Sequence, residues 1–132
     1  MRQRDKISAI NKLIKFFGND GKNWMRYSCS NRERTKFCLL GGIDELWGKE
    51  VEYNDLSTGS KIKSIERTPK SLAVANLINR ELFKEDMFNT KTGASVSTAR
   101  KVLTSSFNDL AKDFQEVRSF LVKFLNKLKG NG

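Results

Sequence analysis

The sequence predicts a mainly α protein, a compact bundle of about five helices with one irregular loop or short hairpin region at about 49–67. Three observations carry that expectation. Near the end, Val117, Phe120, Leu121, Phe124, Leu125 and Leu128 repeat at the spacing of one helix face. Near the start, Ile7, Ile10, Leu13, Ile14 and Phe17 do the same. The single proline, Pro69, directly follows Thr68, an arrangement that starts a helix rather than breaking one.

The elements follow in order. A first helix is expected over about 5–17, with Phe16 beside its apolar stripe and Gly18 as its left-handed stop. Residues 19–34 have no clean period and read as an ordered loop, whose Trp24, Met25 and Tyr27 cover the end of that helix. Helix two is expected from 35 or 36 to 47, on Phe37, Leu40, Ile43, Leu46 and Trp47. Gly41-Gly42 inside it costs about 1 kcal/mol per glycine relative to alanine, which calls for another backbone in close approach. In 49–67, Val51, Tyr53, Ile62 and Ile65 flank a polar run. A loop with weak strand character is favoured, because an isolated hairpin is marginal in water. Thr68 then caps a helix that runs to about 83. Residues 89–93 read as a loop, and Ser95 or Ser97 caps a fourth helix to about 106, broken by Phe107-Asn108-Asp109. Asp113 opens the last helix in a capping-box-like start with Glu116.

Composition bounds what this bundle can be. With 38% hydrophobic and 30% charged residues, a single domain over 1–132 can bury a core. No apolar run approaches the ~20 residues needed to span a bilayer. The charged start, Met1-Arg2-Gln3-Arg4-Asp5-Lys6, leads into an amphipathic segment rather than a signal core, so a cytoplasmic location is expected.

The chain has no histidine, which removes Ser-His-Asp and Cys-His arrangements, a histidine base and any His-containing zinc site. Cys29 and Cys38 are too widely spaced for the tight pairs of zinc modules. A disulfide between them is geometrically allowed but disfavoured in the cytosol, so two buried thiols are expected, with Cys38 unreactive. The acids concentrate at Asp44, Glu45, Glu50, Glu52 and Asp55, and their spacing does not ask for a converging Mg²⁺ site. No cofactor or metal is expected.

The net charge is +10, from 25 Lys and Arg against 15 Asp and Glu. Such a surface either attracts polyanions or keeps a small protein dissolved. Two basic clusters are candidate partner-binding groups: Lys22, Arg26, Arg32, Arg34 and Lys36, then Lys61, Lys63, Arg67 and Lys70. Both fall in loops or helix starts, where cations can meet phosphates. The first is interleaved with Trp24 and Tyr27, a pattern that suits either partial core packing or a grip on nucleic acid.

Three segments together resemble a family of uncharacterised small proteins from bacteria and their phages. They are the amphipathic helix leading into Trp24; Cys38-Leu39-Leu40-Gly41-Gly42-Ile43, similar to the family's Cys-x-x-Gly-Ala-Leu helix; and Phe107-Asn108-Asp109 followed by the Glu116-Val117 helix. Gly42 stands where the family has alanine, and 49–67 reads as an insertion. The resemblance implies a mostly helical fold and a bacterial or phage origin, hence the host cytoplasm if phage-encoded, and supplies no activity.

Two function classes remain. The preferred one is a non-enzymatic binding protein acting on nucleic acid or a nucleic-acid-handling protein complex, as an accessory factor or host-defence inhibitor. The alternative is a small-molecule binder or enzyme with a site around Cys38, Trp24 and Asn108-Asp109.

Overall fold

The computed structural model describes residues 1–84 and 104–130. Its elements are helix α1 (Gln3–Phe17), helix α2 (Leu39–Trp47), strands β1 (Lys49–Asn54) and β2 (Lys61–Glu66), helix α3 (Pro69–Lys84), a helical segment at 104–110, here α4, and helix α5 (Phe114–Leu128). The loop expected at 89–93 and most of the expected fourth helix lie outside the described residues. No helix among the described residues is long and apolar enough to cross a membrane.

The mainly helical architecture follows from the apolar stripes. Ala9, Ile10, Leu13 and Phe17 of α1 are buried against Val117, Phe120, Leu121, Phe124 and Leu125 of α5, with Val74, Leu77, Ile78 and Leu82 of α3 and Leu39 and Ile43 of α2 completing the core. Helices α1 and α5 run antiparallel. Gln3 donates to the Leu128 carbonyl at one end, while Gln115 and Arg118 reach Asn19 at the other, at 2.7 and 2.9 Å. Asp113 accepts the Glu116 amide at 3.1 Å, as the capping pattern requires. Thr68 and Ser71 exchange side-chain to backbone hydrogen bonds at 2.8 and 3.1 Å, a reciprocal cap that starts α3 at Pro69.

Three boundaries differ from the sequence expectation. Helix α2 begins at Leu39, not at 35 or 36, because Phe37 is held in extended bridges to Trp24 and Ser30, and Cys38 caps the helix through its sulfur. Residues 49–67 form an antiparallel hairpin in place of the favoured loop, with Val51 opposite Ser64 and Tyr53 opposite Ile62. Asp55 organises its turn by accepting both the amide and hydroxyl of Ser57, and Gly59 supplies a φ of 71°. Gly48 anchors the hairpin to α2: a Cβ there would lie 2.4 Å from Ile65 Cγ2. Finally, Phe107-Asn108-Asp109 does not break a helix but lies within α4, because Asn108 finds buried partners.

Candidate functional site

The segment over 23–37 is tied to α1 by Asn23 and to α4 by Trp24 and Tyr27. Its base is a short bridge in which Met25 donates to the Phe37 carbonyl at 3.0 Å and Phe37 to the Asn23 carbonyl at 2.7 Å. Asn23 also donates to the Phe16 carbonyl at the end of α1.

Asn108 of α4 closes the loop onto the core. Its Oδ1 accepts the Trp24 indole N–H at 2.6 Å and the Leu39 amide, first in α2, at 2.9 Å. Its Nδ2 donates to the Met25 carbonyl at 3.0 Å and to Asp109 Oδ1 at 3.3 Å. Those bonds use both acceptor sites and both donors of a fully buried amide. Asp109 in turn accepts the Tyr27 amide at 2.8 Å. The residues of the alternative site, Trp24, Cys38 and Asn108-Asp109, are thus brought close together as a structural junction. Asn108 has no bonding capacity left for a ligand.

The nine sequence-predicted contact residues divide by partner. Arg26 is engaged within the fold. Its Nη2 donates to the Ala111 and Lys112 carbonyls at 2.6 and 2.7 Å, just beyond the end of α4, and its guanidinium sits 5.2 Å from the Trp24 ring. Carbonyls at a helix end attract a cation, so this charge is committed to the fold. Arg34 is engaged as well. It adopts a φ of 55° and pairs with Glu45 at 2.8 Å and Glu50 at 3.4 Å, and the Glu45 bond holds its pKa above the ordinary arginine value. Arg67 pairs with Asp44 at 3.3 Å. Burial of Asp44 pushes that carboxyl up, against the opposing effect of Arg67. Lys22 and Lys61 make long, exposed pairs with Asp20 and Glu52 at 3.9 and 3.5 Å, which contribute little.

Arg32, Lys36, Lys63 and Lys70 are exposed and carry no ion pair within 4.0 Å among the described residues. Arg32, Arg34 and Lys63 meet on one open cleft of about 470 Å³, together with Cys29, Gly41, Asp44 and Glu45. Lys22, Arg26, Lys36, Lys61, Arg67 and Lys70 do not line it.

Two features were missed in the sequence. Trp24 packs against the core, 5.9 Å from the Phe114 ring, whereas Tyr27 projects into solvent at 79% exposure. Its φ of 68° is rare for a bulky residue and is held by the Asp109 bond. Nothing in local sequence distinguishes the two aromatics, because the sorting partners lie on α4. The second is Cys29, which is exposed, in contrast to the expected pair of buried thiols. Cys38 is buried, and its sulfur accepts the Gly41 amide at 3.2 Å. The close approach expected at Gly41-Gly42 is present: a Cβ on Gly41 would lie 1.7 Å from the Cys29 carbonyl oxygen. Among the described residues no group of three or more Cys, Asp or Glu could hold a metal ion.

No known protein family, characterised protein or solved structure matches the chain.

Proposed function

We propose that this protein is a non-enzymatic binder of single-stranded nucleic acid, with residues 23–37 as its contact surface. The observation that carries the reading is the contrast within that loop. The segment is tied to α1 by Asn23 and to α4 by Trp24 and Tyr27, yet it holds Tyr27 outward in a strained conformation and leaves Arg32 and Lys36 without an ion pair among the described residues. An anchored platform with one exposed ring and free cations suits a strand whose bases stack while its phosphates pair. Lys63 across the cleft extends the same charge. The bacterial or phage origin implied by the family resemblance fits an accessory factor or an inhibitor of host defence acting on such a strand.

Fluorescence anisotropy with single-stranded DNA and RNA of about 15 nucleotides tests this directly, since single-strand sites span roughly 4–16 nucleotides per small domain. Tyr27→Ala should weaken binding by about 1–3 kcal/mol, the worth of one stacked base. Equal affinity for duplex and single strands, with no effect of Tyr27→Ala, would remove the stacking role. Absence of binding to any nucleic acid, with retention of an acidic protein partner sensitive to Arg32→Glu, would assign the surface to a protein instead.

A further inference from the structure

We propose that Cys29 and Cys38 form a redox-active thiol pair that reacts with small anionic disulfides admitted to the cleft beside Arg32 and Lys63. The placement of the two residues is the first ground. Ser30 and Phe37 form an antiparallel bridge, flanked by bonds from Asn31 to the Lys36 carbonyl at 3.1 Å and from Cys38 to the Cys29 carbonyl at 3.2 Å. That register sets Cys29 directly across from Cys38, with both side chains on one face. A fully hydrogen-bonded antiparallel pair has Cα atoms about 5.5 Å apart, and this pair makes one of its two bonds. A disulfide spans about 4.4–6.8 Å between Cα atoms, so the bridge needs little backbone movement. Gly41 makes this possible, since any side chain there would displace the Cys29 carbonyl from the first turn of α2.

The second ground is the division of labour. Cys29 lines the open cleft, whereas Cys38 is 3% exposed. The Cys38 sulfur accepts the Gly41 amide, and the neighbouring Cys38 thiol favours negative charge on the exposed Cys29 sulfur. That neighbour is the chief cause lowering Cys29 to about 6. Arg67 assists, while burial, Asp44 and Asp109 oppose it. The same contact, with burial, pushes Cys38 up. Around the sulfur the cleft carries Arg32, Arg34 and Lys63 against Asp44 and Glu45. Both acids are already paired, with Arg67 and Arg34, which leaves Arg32 and Lys63 to receive an anion.

The chemistry balances as a two-step exchange. The Cys29 thiolate attacks one sulfur of the small disulfide, forming a mixed disulfide and expelling one thiolate. Cys38 then gives its proton to that expelled thiolate and attacks the Cys29 sulfur, releasing the second thiolate. The protein loses two hydrogens to a Cys29–Cys38 disulfide, and the small disulfide is reduced to two thiols. This proposal stands apart from nucleic-acid binding and survives its failure.

Oxidised glutathione and cystamine, an anionic and a cationic disulfide, serve as probes on the full chain, followed by intact mass. Wild type should lose two hydrogens. Cys38→Ser keeps a capping oxygen at the start of α2 and should instead accumulate one glutathione adduct, on Cys29. Arg32→Glu with Lys63→Glu should slow glutathione disulfide by about tenfold and leave cystamine unslowed. Iodoacetamide labelling of native wild type gives a readout without mutation. A thiol near 6 is about half thiolate at pH 6 but less nucleophilic than a free thiol, so Cys29 should react about tenfold faster than a free cysteine there. A labelling midpoint at the free-thiol value of about 8.5 overturns the proposal. So does a native Cys38→Ser protein, folded by circular dichroism, that takes up glutathione no faster than its urea-unfolded form.

Discussion

Replacing Asn108 with alanine should cost far more than the loss of one surface amide. Its carbonyl oxygen serves the Trp24 indole at 2.6 Å and the first amide of α2 at 2.9 Å, and its nitrogen serves the Met25 carbonyl at 3.0 Å. Each buried group left without a partner costs about 1–3 kcal/mol. Three groups are affected, and relaxation lets water reach the part-buried ones, so the net cost should be about 3–5 kcal/mol. A domain commonly has only about 5–15 kcal/mol in hand. Urea denaturation followed by far-ultraviolet circular dichroism measures the change, and Tm should fall by roughly 10–15 °C. Trp24→Phe keeps a ring against Phe114 but removes the indole donor. Combining it with Asn108→Ala in a double-mutant cycle should give a coupling of about 1 kcal/mol. A cost below about 1 kcal/mol for Asn108→Ala, or additivity of the two changes, would show that the junction does not hold the loop.

Other perturbations report on separate parts. Leu121→Ala and Phe124→Ala should each cost about 2–5 kcal/mol by chemical denaturation, since both lie in the buried face of α5. Gly41→Ala should destabilise despite its better helix propensity, because the added methyl meets the Cys29 carbonyl, and a stabilised variant by thermal melt would contradict the close approach. Asp44 has a raised pKa, so its protonated form favours the fold, and that contribution is lost as pH rises through the folded value. Asp44→Asn should therefore gain on wild type in denaturation experiments as pH climbs through the carboxylate range, and the reverse trend would mean that Arg67 outweighs burial.

The helices were legible where apolar residues keep a single period, as in α1, α3 and α5. The fourth helix shows what obscures that signal. Thr104, Phe107, Asn108 and Ala111 are all buried and occupy one face, but two are polar, and a polar residue on a core stripe reads as a break. The hairpin was legible only as one of two alternatives: Val51 and Tyr53 alternate with acids, but apart from Val51 β1 is exposed throughout, so no buried face decided for a strand. At the surface, the charge clusters were visible, but not which cations were free. The partners of Arg26 lie 85 and 86 residues away and are backbone carbonyls, which no side-chain pattern announces. Arg34 could have been suspected, since Glu45 and Glu50 are the nearest acidic cluster beyond its own loop. Cys29 was invisible as an exposed thiol because its neighbour Cys38, so similar in sequence, is the one that α2 buries.

The salt dependence of binding to a single strand tests the central claim most directly. If Arg32 and Lys36 pair with phosphates, log affinity should fall linearly with log salt, at about −0.7 per phosphate contacted. Reversing Arg32 and Lys36 to glutamate should flatten that slope by about 1.4 and leave the thermal melt nearly unchanged. Arg26→Ala should instead lower stability, because its guanidinium holds the Ala111 and Lys112 carbonyls. A slope unaltered by the double reversal, or no binding at low salt, would contradict the account and leave the net charge of +10 without a nucleic-acid partner at this loop.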